Sequence, residues 1–245
     1  MKTIKGPLVV FGGGSGIGLA TATIGADAYS AVVIADPDPC CGQLDLVRSG
    51  RVSWVSGDAR KPDEVLGLLS TLIQEYGILP AVVTTVGGAH VQNPLELDLD
   101  AWRAEVEFNL NSAYVVATAA AGIMAKHGGG AIVTTSSSYA TVAKADRIGY
   151  SAAKAGVIAL TKSLALATAR KGIRVNCVAP GATDTPRVRS MTGTAKEFEK
   201  VLEASAQGRI ATPEDVAQAI LYLASPAASS ITGQVIWVNN GTYMP

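Results

Sequence analysis

Short apolar runs alternate with longer helical patterns along the 245 residues of the chain. Most of these runs lack alternating polar positions, which is typical of strands that are buried on both faces of a parallel sheet. They predict strands at Leu8–Phe11, Ala31–Ala35, Val52–Val55, Ala81–Thr85, Ala131–Thr135, Arg174–Ala179 and Gln234–Val238. The segments between them predict helices over about Ile17–Tyr29, Pro62–Tyr76, Asp100–Lys126, Tyr150–Ala169 and Pro213–Ala224.

This alternation of strands and helices predicts the fold class. It indicates an α/β fold in which a doubly wound, Rossmann-type sheet of about seven parallel strands is flanked by helices. The chain shows no internal repeat, linker or low-complexity tract, so we expect residues 1–245 to form a single domain. Ligands of such sheets bind beyond the carboxyl ends of the strands. The loops that follow the strands are therefore the places to search for a functional site.

Composition and charge narrow the class of protein. Hydrophobic residues make up 48% of the chain and charged residues 16%, with a formal net charge of zero. This is a globular composition that gives no reason to expect binding to nucleic acid or to a membrane surface. No stretch reaches about 18 uninterrupted apolar residues, and the first apolar run is too short for a signal peptide. We therefore expect no membrane span.

The cysteines Cys40, Cys41 and Cys177 show neither metal-ligand spacing nor the pattern of a disulfide framework. Reduced thiols fit a cytoplasmic protein. The sequence therefore predicts a cytoplasmic protein without a metal site.

A glycine-rich loop, GGGSGIG at residues 12–18, follows the first predicted strand and opens the first predicted helix. Glycine allows the tight turn that this connection needs. It also lets a pyrophosphate approach the free N–H groups of the helix N-terminus. The loop therefore predicts a dinucleotide-binding site, with an ordinary glycine-rich turn as the alternative. Its spacing is Gly-x-x-x-Gly-x-Gly, at Gly12, Gly16 and Gly18.

Asp36 directly follows the second predicted strand, 18 residues beyond Gly18. A carboxylate there can accept hydrogen bonds from the adenosine ribose hydroxyls, and it would repel the 2′-phosphate of NADP. Pro37, Asp38 and Pro39 follow, so no basic residue stands beside Asp36. These residues favour NAD as the cofactor, and an aspartate that merely starts a loop is the alternative.

Tyr150 and Lys154 stand one helical turn apart in the stretch IGYSAAKAGVIAL, residues 148–160. Residues at i and i+4 share a helix face, and a nearby ammonium lowers the pKa of a phenol by favouring the phenolate. The pair therefore predicts a general acid–base unit, with a structural tyrosine and a surface lysine as the alternative. Ser137, in a serine cluster after the fifth predicted strand, lies 13 residues before Tyr150 and can hydrogen-bond a substrate oxygen.

Nearly the whole chain resembles the short-chain dehydrogenases/reductases in their compact, classical-type form. The motifs that carry the resemblance are GGGSGIG (12–18), Asp58 in SGDAR, FNLNSAY (108–114), SSS (136–138), YSAAK (150–154), VNCVAPGATDT (175–185) and ITGQVIWVNNG (231–241). The resemblance implies an NAD(H)-dependent oxidoreductase that interconverts a secondary alcohol and a ketone by hydride transfer. It does not identify the small-molecule substrate.

The resemblance also implies roles for individual residues. Tyr150 corresponds to the catalytic acid–base, and Lys154 to the residue that lowers its pKa and holds the nicotinamide ribose. Ser137 corresponds to the residue that orients the substrate, and Asn109 to the asparagine of the proton relay. Cofactor-binding roles fall on Gly12, Ser15, Gly16, Ile17, Asp36, Asp58, Ala59, Val86, Gly87, Tyr150, Lys154, Pro180, Gly181, Thr183 and Thr185.

Two places depart from the family pattern. Phe11 replaces the usual threonine before the first glycine, and TTVG, Thr84 to Gly87, replaces Asn-Asn-Ala-Gly after the fourth strand. The usual asparagines brace the sheet and the adenine pocket. The departures therefore predict altered cofactor affinity and local stability, with the proton chemistry left intact.

Further expectations concern the surroundings of the site. By the resemblance, residues 187–208 form the substrate lid. His90 lies on the ligand side of the sheet and is a candidate for substrate contact. The stretches NSAYVVATAAAGIM and YSAAKAGVIALTKSLALATA are small or apolar nearly all round and must be covered on both sides. They predict a homo-oligomer with closed symmetry, and the resemblance favours a tetramer over a dimer.

Other functions remain open at this point. The same fold and motifs fit an NADPH-linked ketone reductase, which Asp36 opposes. They also fit an epimerase or dehydratase, or a non-catalytic dinucleotide-binding regulator, which an intact serine, tyrosine and lysine set opposes.

Overall fold

The computed structural model of the chain describes residues 3–96, 98–142, 144–191, 199–200 and 202–244. In this part of the chain, seven strands form one parallel sheet in the order β3-β2-β1-β4-β5-β6-β7. The strands are β1 Ile4–Phe11, β2 Tyr29–Ala35, β3 Ser53–Val55, β4 Ala81–Thr84, β5 Gly130–Thr135, β6 Ile173–Pro180 and β7 Val235–Val238. The predicted Rossmann-type fold class is therefore confirmed.

Helices connect the strands and flank the sheet. They are α1 Gly16–Gly25, α2 Asp45–Arg48, α3 Pro62–Tyr76, α4 Leu99–Val106, α5 Ser112–Met124, α6 Ile148–Thr168, α7 Pro186–Met191 and α8 Pro213–Ala224. A π-helical turn, Glu107–Asn111, joins α4 to α5.

Both faces of the central strands are buried. On β1, Val9 and Phe11 pack into a core that includes residues of α3 and α5. Leu8 and Val10 point to the opposite face and pack with residues of α1 and α8. Successive side chains of a strand point to opposite faces, so a strand between two helical layers needs apolar residues at every position. This explains why the strand runs show no polar alternation.

The strand order reverses beside β1, and this reversal creates the crevice where a ligand can bind. Phe11 at the end of β1 pairs with Ala35 of β2 on one side and with Thr84 of β4 on the other. The backbone N–H of Thr85 donates to the carbonyl of Phe11 at 2.9 Å. The loops after β1, β2 and β4 therefore meet at one edge of the sheet.

The observed elements differ from the predicted ones in three respects. The first helix ends at Gly25 rather than near Tyr29, because the chain turns at Ala26–Ala28 and Tyr29 already begins β2 as a buried strand residue. The long helix predicted over Asp100–Lys126 is interrupted by the π turn. The short helices α2 and α7 were not predicted, since four and six residues carry too little periodicity to be recognised.

Only part of the predicted lid, residues 187–208, lies within the described residues. Helix α7 covers its first residues. Residues 192–198 and 201 lie outside the described residues.

Helix α6 with the turn after it, Ile148–Lys171, is the one helix in the described part of the chain that is long and apolar enough to cross a membrane. Its most apolar window of 18 residues has a mean hydropathy of 1.2. Counting uninterrupted apolar runs in the sequence did not detect it. The helix lies against the sheet through buried residues such as Val157 and Ala165, so it is part of the folded domain.

Candidate active site

The glycine-rich loop lies at the N-terminus of α1, where two of its glycines are required by geometry. Gly12 has a φ of +77°, which favours glycine. A Cβ on Gly18 would lie 2.1 Å from the carbonyl oxygen of Gly12, so the helix could not pack this closely on the loop with a larger residue. Ser15 is the N-cap residue of α1, and its side chain forms no capping hydrogen bond. The first N–H groups of α1 therefore point outward and can bind an anion such as a pyrophosphate.

The loops after β4 and β6 lie against the same glycine-rich loop. The point that a Cβ on Gly12 would occupy is 3.0 Å from Cγ2 of Val86. The corresponding point on Gly16 is 3.2 Å from Cγ2 of Thr185. The structure thus brings together three segments that the sequence predicted to hold one cofactor, namely the loops after β1, β4 and β6.

Asp36 lies beside the glycine-rich loop, and the sequence predicted that it binds the adenosine ribose. Its carboxylate accepts hydrogen bonds from the backbone N–H groups of Gly14 at 3.1 Å and Asp38 at 3.0 Å. Asp38 adds a second carboxylate within the same turn, and it accepts a hydrogen bond from the N–H of Cys40. Two neighbouring carboxylates therefore make this part of the crevice negative.

Asp58 and Ala59 follow β3 on the same side of the sheet, and Ala59 is buried. The carboxylate of Asp58 is held by Arg60 through contacts of 2.6 to 3.1 Å. These hydrogen bonds lower the pKa of Asp58. Because the ion pair occupies both carboxylate oxygens, the predicted contact of Asp58 with adenine needs Arg60 to share or release it.

The loop after β6 carries the remaining predicted cofactor residues. Pro180 ends the strand, and the N–H of Gly181 donates to the carbonyl of Val238 at 2.9 Å. Thr183 is buried and donates its hydroxyl to the carbonyl of Gly181 at 3.1 Å. Thr185 accepts a hydrogen bond from the N–H of Val188 and so begins α7.

The departures at the end of β4 are only partly compensated. The hydroxyl of Thr85 donates to the carbonyls of Phe11 and Gly12, at 3.1 Å each, and so braces β4 against the glycine loop. The hydroxyl of Thr84 is buried and has no hydrogen-bond partner among the described residues. Phe11 itself is buried and fills part of the core between the sheet, α3 and α5.

Tyr150 lies in the first turn of α6, and Ser137 lies opposite it after β5. The hydroxyl of Ser137 is close enough to that of Tyr150 to lower its pKa by hydrogen bonding. Ser137 also accepts a hydrogen bond from the N–H of Tyr139 at 3.2 Å, which fixes its position. The neighbouring Ser138 has a buried hydroxyl with no partner in the described structure. This geometry favours Ser137 over Ser138 as the substrate-orienting residue.

Burial dominates the proton equilibria of Tyr150 and Lys154. It raises the pKa of Tyr150, against the opposing effects of Ser137 and of the Arg187 guanidinium. It lowers the pKa of Lys154 to about 8. Nζ of Lys154 lies 5.8 Å from the centre of the Tyr150 ring and donates to the carbonyl of Thr135 at 3.0 Å. The sequence predicted a lowered pKa for Tyr150, whereas burial in the folded protein raises it.

Asn109 lies in the π turn, directly behind Lys154. Its amide Oδ1 accepts from the N–H of Gly88 at 2.8 Å, and its Nδ2 donates to the carbonyl of Gly88 at 3.0 Å. A Cβ on Gly87 would lie 2.6 Å from both Oδ1 of Asn109 and Nζ of Lys154. The missing side chain at Gly87 leaves these two polar groups facing one another across a small space.

Glu105, His90 and Arg187 extend this polar network, and the sequence did not single out the first and third of them. Glu105 is only 2% exposed and accepts from Nδ2 of Asn109 at 2.8 Å and from Nδ1 of His90 at 2.8 Å. Arg187 donates to the carbonyl of Ala89 at 3.1 Å. The available signal for Glu105 was its position four residues before Asn109, on the same helix face. The signal for Arg187 was its position two residues after Thr185.

These residues fit a nicotinamide dinucleotide. The glycine loop presents free N–H groups, Asp36 lies beside that loop, and the loop after β4 connects it with Lys154, because Gly12 lies against Val86 and Gly87 against Lys154. No group of three or more histidine, cysteine or acidic residues in the described ranges could hold a metal ion.

The chain is similar to known proteins over nearly its whole length. Residues 12–243 match the family described as enoyl-(acyl carrier protein) reductase. The chain is 41% identical over 239 residues to a cis-4-hydroxycyclohexanecarboxylate dehydrogenase of Sinomonas cyclohexanicum, with 95% of this chain and 94% of the relative covered. It is 34% identical over 238 residues to the 3-oxoacyl-[acyl-carrier-protein] reductase FabG of Chlamydia muridarum, with 95% of each covered.

A cyclohexanol dehydrogenase of Acinetobacter sp. (strain SE19) is 32% identical over 242 residues, with 96% of this chain and 93% of the relative covered. Among solved structures, a short-chain type dehydrogenase/reductase from Mycobacterium ulcerans superimposes with a TM-score of 0.93 at 29% identity. That comparison covers 99% of this chain and 91% of the other.

Proposed function

This chain belongs to the short-chain dehydrogenase/reductase family, and on that premise we propose that it interconverts a secondary alcohol and a ketone with NAD(H). The observation that carries the proposal is the cluster of Ser137, Tyr150, Lys154 and Asn109 beside the glycine loop of Gly12–Gly18. These side chains come from three parts of the chain: the π turn, the loop after β5 and α6. Together they supply a proton donor, a hydrogen-bond partner for the substrate oxygen, a positive charge and a polar group behind that charge.

The chain's own residues account for the proton chemistry. The hydroxyl of Tyr150 donates a proton to the substrate oxygen during ketone reduction and removes one during alcohol oxidation. Ser137 holds that oxygen by a hydrogen bond, and Lys154 supplies positive charge beside the ring. A bound nicotinamide dinucleotide would supply the hydride donor or acceptor. The residues that would hold it are Gly12, Ser15, Gly16, Ile17, Asp36, Val86, Gly87, Lys154, Pro180, Gly181, Thr183 and Thr185, with Asp58 and Ala59 beside the adenine.

We propose NAD rather than NADP as the cofactor. Asp36 and Asp38 place two carboxylates at the ribose rim, and neither forms an ion pair with a basic side chain of the described residues. A 2′-phosphate would meet two negative charges there without a compensating positive one.

The relatives support a substrate whose hydroxyl group is on an aliphatic ring. Two of them are dehydrogenases of cis-4-hydroxycyclohexanecarboxylate and of cyclohexanol. We propose the same class, an alicyclic secondary alcohol, for this chain. A second candidate is reduction of an acyl-carrier-protein-linked ketone, because a FabG relative is 34% identical. If the argument from Asp36 against NADP fails, we expect an NADPH-dependent reduction of such a ketone.

The first experiment measures thermal melting of the purified protein with NAD⁺, with NADP⁺ and without either. A ligand that binds only the folded state at a hundredfold excess over its Kd stabilises it by about 2.7 kcal/mol. We expect NAD⁺ to raise the Tm and NADP⁺ to leave it nearly unchanged. A rise with NADP⁺ alone would contradict the cofactor assignment. A rise with neither would favour the view that Thr84 and Phe11 have weakened the site.

The second experiment follows the nicotinamide absorbance during oxidation of cyclohexanol, with Tyr150→Phe as the variant. We expect turnover in the natural protein and a loss of at least about a hundredfold in the variant, with the NAD⁺-induced rise in Tm retained. Equal turnover in both proteins would remove Tyr150 from the mechanism. Turnover of a substrate without net change in absorbance would favour an epimerase or a dehydratase.

We also propose a homo-oligomer in the cytoplasm, with a tetramer favoured over a dimer. The support is the outer surface of α6, where Ile148 and Leu166 are exposed although the helix is apolar. A second copy of the chain that packs on α5 and α6 would cover them.

A further inference from the structure

Arg187 is a residue of α7, and its guanidinium lies against the loop after β4, at the mouth of the active site. It donates to the carbonyl of Ala89 at 3.1 Å. A Cβ on Gly88 would lie 2.1 Å from Cζ and 2.2 Å from Nη1 of Arg187, so the guanidinium occupies the space that a side chain at Gly88 would fill. The same charge is close enough to Tyr150 to influence the pKa of its hydroxyl. A substrate whose reacting oxygen is bound by Tyr150 would therefore have its neighbouring atoms beside Arg187.

His90, which is itself held by Glu105, lies beside this guanidinium. Glu105 is buried, and its carboxylate can only accept hydrogen bonds, so Nδ1 of His90 must carry a proton to donate to it. In the neutral imidazole the lone pair is then on Nε2. That atom lies 3.5 Å from Nη2 of Arg187. The buried Glu105 thus orients the ring of His90, and Nε2 of that ring faces Arg187.

Arg187 has no charged partner in the described part of the chain. The other arginine of α7, Arg189, forms an ion pair with Asp184 at 2.5 Å. No described carboxylate forms an ion pair with Arg187. A guanidinium has five N–H donors in a planar arrangement that matches a carboxylate, and most of these donors remain available here.

We propose that Arg187, held by Ala89 and His90, is an anion-binding subsite, and that the substrate is an alicyclic secondary alcohol that carries a carboxylate. The proposal rests on the proposed function and adds the substrate's second functional group. Ser137 and Tyr150 bind the hydroxyl or carbonyl oxygen, while Arg187 binds the carboxylate. Two fixed ends orient a small ring, and this selects which carbon faces the reacting group.

The test compares two substrates that differ in the carboxylate, cis-4-hydroxycyclohexanecarboxylate and cyclohexanol. For Arg187→Gln we expect the ratio of their kcat/KM values, acid over neutral alcohol, to fall at least about tenfold, which corresponds to about 1.4 kcal/mol. Arg187→Lys keeps the charge without the planar donors and should lose less. Gly88→Ala keeps the arginine but displaces its guanidinium, and should lower the ratio as well.

Arg189→Gln is the matched control, because it removes the same charge from the same short helix. We expect it to change the ratio by less than about twofold. An unchanged ratio in Arg187→Gln would overturn the proposal. So would a weaker affinity of Arg187→Gln for NAD⁺ with an unchanged ratio, since the guanidinium would then serve a cofactor phosphate.

A binding measurement separates this proposal from the proposed function. Cyclohexanecarboxylate has no hydroxyl group to oxidise, so isothermal titration calorimetry reports the subsite without turnover. We expect it to bind the natural protein and to bind Arg187→Gln at least about tenfold more weakly. This result would support the subsite even if no alcohol were oxidised. Equal binding to both proteins, or binding to neither, would overturn the subsite.

Discussion

At the scale of single residues, burial changes the proton chemistry of the two groups that the sequence singled out. Tyr150 is partly buried, and its pKa rises because the phenolate is poorly solvated. Lys154 loses contact with water, and its pKa falls to about 8 because the ammonium is poorly solvated. Both shifts favour the neutral form. A positive charge beside the ring, from Lys154 or from a bound nicotinamide, must oppose this effect before Tyr150 can act as a base.

The shift of Lys154 predicts a dependence of stability on pH. Its pKa is about 8 in the folded protein and 10.5 as the ordinary value. Between these values the unfolded chain binds more protons, so the contribution of Lys154 to the free energy of unfolding increases as pH rises. We expect the natural protein to gain up to about 3 kcal/mol relative to Lys154→Met across this window. Urea denaturation of both proteins without nucleotide, at several pH values, measures the difference.

Lys162→Met is the control for this comparison, because Lys162 is an exposed lysine on the same helix. All other titrating groups are shared and cancel in the difference. The stability of Lys162→Met relative to the natural protein should stay nearly constant over the same pH range. A pH-independent difference for Lys154→Met would show that Lys154 keeps an ordinary pKa.

At the scale of elements, the π turn between α4 and α5 decides where the polar network lies. A π turn inserts one residue into the helix and frequently marks a functional site. Here it contains Asn109, and α4 before it contributes the buried Glu105. Cβ and Cγ of Glu105 also lie 3.1 and 3.3 Å from the point that a Cβ on Gly149 would occupy, at the start of α6. One acidic side chain therefore links α4, the loop after β4 and the helix that carries Tyr150.

The hydrogen-bond pattern predicts that Glu105→Gln is destabilising although the two side chains have the same shape. The carboxylate accepts from the backbone N–H of His90 at 2.9 Å, from Nδ1 of His90 and from Nδ2 of Asn109. A glutamine would place an NH₂ group against one of these donors. We expect a loss of about 1–3 kcal/mol in the free energy of unfolding, measured by urea denaturation.

Glu214→Gln provides the comparison, since Glu214 is exposed at the start of α8. It should change the free energy of unfolding by less than about 0.5 kcal/mol. If Glu105→Gln proved as stable as Glu214→Gln, the hydrogen bonds to Glu105 would not be formed as the structure describes them.

At the scale of the whole molecule, the sheet brings the site together and leaves one helix surface uncovered. Leu166 is 86% exposed on α6, a helix that is apolar over most of its length. If a second copy covers α6, a charge at this position opposes association. We expect Leu166→Glu to reduce the molar mass measured by light scattering after gel filtration.

Leu66→Glu on α3 is the matched variant, because Leu66 is also exposed but lies outside the proposed interface. It should leave the molar mass unchanged. A natural protein that runs as a monomer, or a Leu166→Glu variant of unchanged mass, would contradict an interface at this position of α6.

The elements with the strongest local signals could be predicted from the sequence. The fully apolar runs around Val9 and Val82 identified buried parallel strands, because only strands between two helical layers need apolar residues at every position. The bounds were less certain. Tyr29 was placed in a helix although it begins β2, since a single aromatic residue at the junction of two elements fits either one.

What the sequence by itself determined were the features that depend on neighbouring residues: the glycine loop, the strand order along the chain and the spacing of Tyr150 and Lys154. Only the tertiary structure decided the direction of the pKa shift of Tyr150, because burial depends on which distant segments cover it. It alone brought Glu105, His90 and Arg187 into one network, since these residues come from three segments that meet only when the sheet is assembled.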